Sequence, residues 1–107
     1  MKPLDLEKLR RAVRQENIEW RKHALQRMAE WDISQSTVIQ VLLNGERIRD
    51  YTEDKPFASA LLLGYGDTRP LHVVAAVDEA ATRAFVITAY EPSLDIFEAD
   101  YKTKRNP

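Results

Sequence analysis

The chain has 107 residues, 44% of them hydrophobic and 31% charged, with no cysteine and a formal net charge of −1. That length fits a single core and is too short for two, and the missing thiols exclude disulfides, thiolate zinc sites and cysteine nucleophiles. Near-neutrality argues against holding nucleic acid by bulk charge alone.

The charges are unevenly spread. Residues 1–28 carry eight Lys/Arg against four acids, residues 29–101 carry five against thirteen, and Lys102, Lys104 and Arg105 follow. Both ends are therefore basic around an acidic middle, which gives either a focused positive patch or ordinary solvated faces. Lys2 and Asp5 stand where a signal peptide needs an apolar run, and no stretch approaches the roughly 18 apolar residues of a membrane span. The expectation is a cytoplasmic protein with no membrane association, residues 1–107 forming one domain.

In chain order, Leu6, Leu9 and Val13 recur at helical spacing among Glu7, Lys8, Arg10, Arg11 and Arg14, so Leu4 to Gln15 reads as an amphipathic helix with a cationic face. Asn17 interrupts it and is placed to cap the next helix. This second helix, from Trp20 to Trp31, puts Trp20, Ala24, Met28 and Trp31 on one stripe, read as core. Asp32-Ile33-Ser34 ends it. Ser34 or Ser36 then caps a third helix to about Leu43, closed by Asn44-Gly45 with Gly45 in the left-handed position.

Beyond Gly45 the period becomes alternating. Arg47 to Tyr51 reads as a partly exposed strand, Asp54-Lys55-Pro56 as a turn, Phe57 to Tyr65 as a buried strand, and Gly64-Tyr65-Gly66-Asp67 as the way into the next turn. Leu71 to Val77 and Arg83 to Tyr90 follow, joined near Asp78 to Ala81. In the last strand Phe85, Ile87 and Ala89 alternate with Val86, Thr88 and Tyr90. Such short links require antiparallel pairing. The fold class is α+β, with N-terminal helices packed on a four-stranded antiparallel sheet.

Two histidines stand out. His23 and Arg27 are four apart on the flank of the second helix, at the border of core and solvent, where they suit either a site or a surface network with Glu30. His72 shares a strand face with Val74 and Ala76, and a hairpin between the last two strands brings it beside Tyr90. A metal site is not indicated, because two histidines lack His-x-x-x-His spacing. There is no Gly-rich phosphate loop or serine nucleophile motif, and no cofactor is expected.

The series His23-Ala24-Leu25-Gln26-Arg27-Met28, Val38 through Asn44-Gly45-Glu46, Pro70-Leu71-His72-Val73-Val74 and Ile87-Thr88-Ala89-Tyr90-Glu91-Pro92 resembles the domain-of-unknown-function family 4258. That resemblance implies a RelE/ParE/barnase-like toxin fold, metal-independent RNA cleavage, an RNA target that ribosomes can carry, and an antitoxin partner. Such cleavage needs a base for the ribose 2′-OH, a cation for the phosphorane and an acid for the leaving 5′-oxygen. His23 and His72 are the proton movers, in either order, with Arg27 on the phosphate and Tyr90 beside His72. Thr88 orients or binds, and Lys22, Arg69, Lys102, Lys104 and Arg105 contact flanking nucleotides. The alternative is a non-catalytic interaction module of the same fold, holding an antitoxin or a gyrase-type target.

Overall fold

A computed structural model describes residues 2–66 and 68–106. The chain runs α1 (Leu6–Arg14), β1 (Ile18–Trp20), α2 (Lys22–Glu30), α3 (Gln35–Asn44), β2 (Glu46–Tyr51), β3 (Ser59–Gly66), β4 (Arg69–Asp78) and β5 (Arg83–Tyr90). Asp67, expected within a turn, lies outside the described residues. Among the described residues no helix is long and apolar enough to cross a membrane.

The fold is α+β, and the sheet has five strands in the order β1-β5-β4-β3-β2, not four. β2 to β5 form the expected antiparallel meander. The fifth strand is β1, which pairs parallel with β5 through Ile18 opposite Ala84 and Trp20 opposite Val86. Trp20 is thus a strand residue and α2 begins after it. Three residues are too few to show a period, and β1 is fixed by contacts with distant chain: Asn17 donates from its side chain to the carbonyls of Ala81 and Thr82, where a helix cap was expected, and the Arg21 amide donates to Val86.

Local chemistry sets the helix ends. Asp5 caps α1 by accepting from the Lys8 amide, and Ser34 caps α3 by accepting from Thr37. α2 stops at Glu30 because Asp32 takes a left-handed backbone (φ 53°). Trp31 therefore falls beyond the helix and is 38% exposed, where the stripe had put it in the core. Gly45 is likewise not left-handed (φ −73°). Its carbonyl and that of Leu42 instead accept from Arg10, so one cation of the basic first helix is spent on the C-terminus of α3. Gly64 and Gly66 are needed for close approach, since a Cβ on either would meet Val41 or Thr37 of α3 at 2.9 Å or less.

One sheet face is the core. Ala60, Leu62, Leu71, Val73, Ala75, Val77, Ala84, Val86 and Ala89 meet Leu9, Val13, Ala24, Met28, Val38, Val41 and Leu42 of the helices. The run from Ala84 to Ala89 keeps this face only because the register shifts opposite Val74 and Ala75, leaving Ile87 as an extra residue in β5. This bulge corrects the simple alternation of β5. It brings Phe85 and Tyr90 to the same, opposite face, and re-aiming of side chains is a regular consequence of a bulge.

That opposite face carries Leu61, Leu63, His72, Ala76, Phe85 and Tyr90. It is covered by the C-terminal strap, residues 93–105, and by the loop between β2 and β3. Asp100 organises the strap by accepting from the amides of Lys102 and Thr103 and from the Thr103 hydroxyl. Phe97 is buried beneath it.

Candidate active site

The hairpin of β4 and β5 sets His72 directly opposite Tyr90 in register. Their side chains meet, with 3.2 Å between His72 Nδ1 and the Tyr90 hydroxyl, while His72 Nε2 lies 2.7 Å from the carbonyl oxygen of Tyr101. A carbonyl only accepts, so Nε2 carries the proton. The neutral ring is then left to accept at Nδ1, and the Tyr90 hydroxyl donates to it. The Phe97 ring stands edge-on to His72 at 4.7 Å, completing a pocket in which the imidazole is fully buried.

Burial pushes the His72 pKa below the ordinary histidine value, aided by the nearby positive charge of Arg49 and opposed by the bond to Tyr101. Burial pushes the Tyr90 hydroxyl up, with a further push from Tyr51, against the pull of Arg49 and then Arg27. The resting pair is therefore neutral on both sides. Two guanidinium groups, Arg27 of α2 and Arg49 of β2, are near enough to act electrostatically on Tyr90, and Arg49 acts on His72 as well.

These arginines are unusual in their pairing. The Nε atoms of both Arg27 and Arg49 are buried without a hydrogen-bond partner among the described residues. Arg27 retains an ion pair with Glu30 at 3.5 Å, part of the surface network its spacing suggested. Arg49 is half-buried and makes no hydrogen bond or ion pair among the described residues. Unpaired buried donors demand an explanation, and two guanidinium groups whose charges both act on one tyrosine hydroxyl suit an anion.

Arg49 and Tyr51 were not among the candidates from sequence. The signal that could have found them is the alternation in β2, which gives the two residues one face. Their place on the far edge strand hides the fact that both act electrostatically on the Tyr90 hydroxyl.

His23 goes elsewhere. It is exposed and lines a separate cleft with Arg21, Phe57 and Phe85. The floor of that cleft, Ala76 and Phe85, is four positions along β4 from His72, about 13 Å at the rise of a strand. The two histidines thus share a sheet face without sharing a cavity.

The remaining expected contacts divide. Lys22 is exposed and Thr88 half-buried opposite Val74. Arg69 donates to the carbonyls of Trp31 and Asp32 and so caps the end of α2. In the strap, Lys102 faces Glu46 at 3.4 Å, Lys104 bridges Phe97 through its backbone, and Arg105 is held by Glu98 and the Leu94 carbonyl. Arg69 and Arg105 are therefore engaged in structure rather than presented to a ligand. Among the described residues no group of three or more His, Asp or Glu side chains converges as a metal would need.

Comparison with curated proteins and with solved structures gave no match. The family model of a domain of unknown function, DUF4258, matches residues 20–91, a span that takes in His23, Arg27, Arg49, His72 and Tyr90 and leaves out α1 and the strap, and the chain belongs to that family.

Proposed function

We propose that the protein cleaves single-stranded RNA without a metal, in the manner of a toxin-type endoribonuclease kept in check by an antitoxin in the cytoplasm. The observation that carries this reading is the Tyr90 hydroxyl, backed by a buried imidazole and acted on by the charges of two incompletely paired arginines. What supports it is the resemblance of the motif series to family 4258, taken together with that family's own likeness to RelE/ParE/barnase-type toxins.

The chemistry follows from the hydrogen bonds. As the ribose 2′-oxygen attacks phosphorus, its proton passes to Tyr90 Oη while the tyrosine proton passes to His72 Nδ1. The imidazolium so formed keeps both of its contacts, Nε2–H to Tyr101 and Nδ1–H to Tyr90, so neither proton state leaves a buried nitrogen unpaired. Arg27 and Arg49 balance the charge that builds on the phosphorane. The leaving 5′-oxygen takes its proton from solvent, because His23 lies in the separate cleft. The products are a 2′,3′-cyclic phosphate and a free 5′-hydroxyl, and His72 acts as a positioning and proton-storing residue behind Tyr90.

Purified protein incubated with unstructured RNA and a chelator should release fragments ending in cyclic phosphate. Tyr90→Phe, Arg27→Ala and Arg49→Ala should each slow cleavage by about 100-fold or more, given the roughly 10²- to 10⁴-fold contribution of one positioned acid or base. Intact RNA after incubation with folded wild-type protein would overturn the reading in favour of a non-catalytic interaction module. So would undiminished cleavage by folded Tyr90→Phe.

A further inference from the structure

The cleft that holds His23 has chemistry which the cleavage step does not use. It lies on the open sheet face between the start of α2 and the loop from β2 to β3, encloses about 660 Å³, and is lined by Arg21, His23, Asp54, Lys55, Phe57 and Phe85 above the floor. That volume is in the range of small-ligand pockets, roughly 300–1,000 Å³. Phe57 and Phe85 are near-parallel, their centroids 5.7 Å apart and their planes 18° from each other. The Arg21 guanidinium sits 4.9 Å from the centre of the Phe85 ring. Lys55 is exposed at the mouth.

We infer that this cleft takes one nucleobase of a single-stranded RNA, beside the phosphate held by Arg27 and Arg49. The inference rests on the ribonuclease reading for the identity of its ligand and adds a base-selecting subsite to it. Three features argue for that occupant. Phe57 is half-buried in a loop and offers ring surface, and any base has a π-face that stacks on an aromatic side chain. Lys55, together with Arg21, which also pairs with Glu19 at 3.2 Å, supplies positive charge for the flanking phosphate, which an uncharged apolar ligand would not use. A strand seated in the cleft can reach the anion site, because His23 and Arg27 are one turn apart on α2 and the floor is about 13 Å from His72 along β4.

Asp54 makes the subsite selective. One of its carboxylate oxygens accepts from the Ser59 hydroxyl, and the other has no partner among the described residues. A carboxylate only accepts. It favours the exocyclic amino group of cytosine and disfavours uracil, which presents a carbonyl at the same position.

Mononucleotides test this without any cleavage. Cytidine 3′-monophosphate, uridine 3′-monophosphate and ribose 5-phosphate are titrated into the full chain by calorimetry. The cytidine nucleotide should bind about tenfold or more tightly than ribose 5-phosphate, the range that stacking of one base supplies. Phe57→Ala should abolish that margin and Phe57→Trp should keep it, while Asp54→Asn should bring cytidine and uridine together. Equal binding of the nucleotides and ribose 5-phosphate, or a margin that survives Phe57→Ala, would overturn the subsite; an unchanged cytidine preference in Asp54→Asn would remove Asp54 from it. Base-dependent binding by a protein that leaves RNA intact would sink the cleavage mechanism alone, and cleavage with no base-dependent binding would sink the subsite alone.

Discussion

The two faces of the sheet are closed by different means. On one, three helices lay apolar side chains against apolar strands, and the fully buried Leu62, Leu71, Val73 and Val86 belong to one hydrophobic cluster. On the other, a strap of thirteen residues (93–105) closes over His72 through one hydrogen bond to a carbonyl and one edge-on ring contact. Burial on the first face is the fold. On the second it is a device that fixes one imidazole, and substitutions should separate the two.

The largest effect belongs to the helix-covered face. Leu62→Ala removes a fully buried side chain between β3 and the helices, and a cavity of that kind costs about 2–5 kcal/mol. Chemical denaturation should show the whole chain losing stability together, strap included. Retention of full stability would mean that this face is not the one that holds the fold.

His72→Phe should cost less and act more locally. It keeps an aromatic ring under Phe97 but leaves the Tyr101 carbonyl and the Tyr90 hydroxyl without their partner, a loss of about 1–3 kcal/mol for groups stranded in a buried place. Hydrogen exchange should quicken in residues 93–105 and stay slow in β3 and β4. Uniform acceleration would erase the distinction between the faces.

The same contrast explains what the sequence could reveal. The helix-side core was readable because burial there follows a period: Ala24 and Met28 at helical spacing, Leu71, Val73, Ala75 and Val77 at strand spacing. The pairing of His72 with Tyr90 followed from the short link at Asp78 to Ala81. The parts that escaped depend on tertiary contact. β1 is a strand only because β5 lies beside it, and the bulge at Ile87 leaves no mark on composition. Arg49 acts on His72 and Tyr90 from the edge strand β2, a nearness that sequence spacing does not show. That Nε2 of His72 would be stopped by a backbone carbonyl in the strap has no signature at all, since any residue carries a carbonyl; the left-handed backbone of Tyr101 (φ 59°) belongs to the strap's tight turn around Asp100.

A proton is a gentler probe of the strap than a substitution, because charged His72 can still donate to Tyr101. Its folded pKa lies below the ordinary 6.5 on account of burial, so the unfolded chain takes up the proton first. The stability that His72 contributes is therefore complete above about pH 6.5 and declines as pH falls from there toward the folded value. Asp100 behaves differently. Three hydrogen bonds from Lys102 and Thr103 hold its carboxyl at about 2 against an ordinary 3.8, so its share is lost only as pH falls below about 4. Stability measured between pH 6.5 and 4 should decline in the wild type and flatten in His72→Phe, and an equal decline in both would assign it to another group.

The smallest effect should come from the rim of the strap. Arg105 and Glu98 are 2.9 Å apart, yet both side chains are more than 40% exposed, and solvent leaves such a pair worth about 0.2–1 kcal/mol, less in salt. Glu98→Gln keeps the Arg105 bond to the Leu94 carbonyl, so the strap retains an anchor at that end. Denaturation at low and high salt should show a difference of a few tenths of a kcal/mol that fades as salt rises, with exchange in 93–105 unchanged. A loss matching that of His72→Phe would mean that the strap is held from outside by its charges. The open face would then be closed by a replaceable polar rim, and the buried imidazole would be sheltered by the strap without anchoring it.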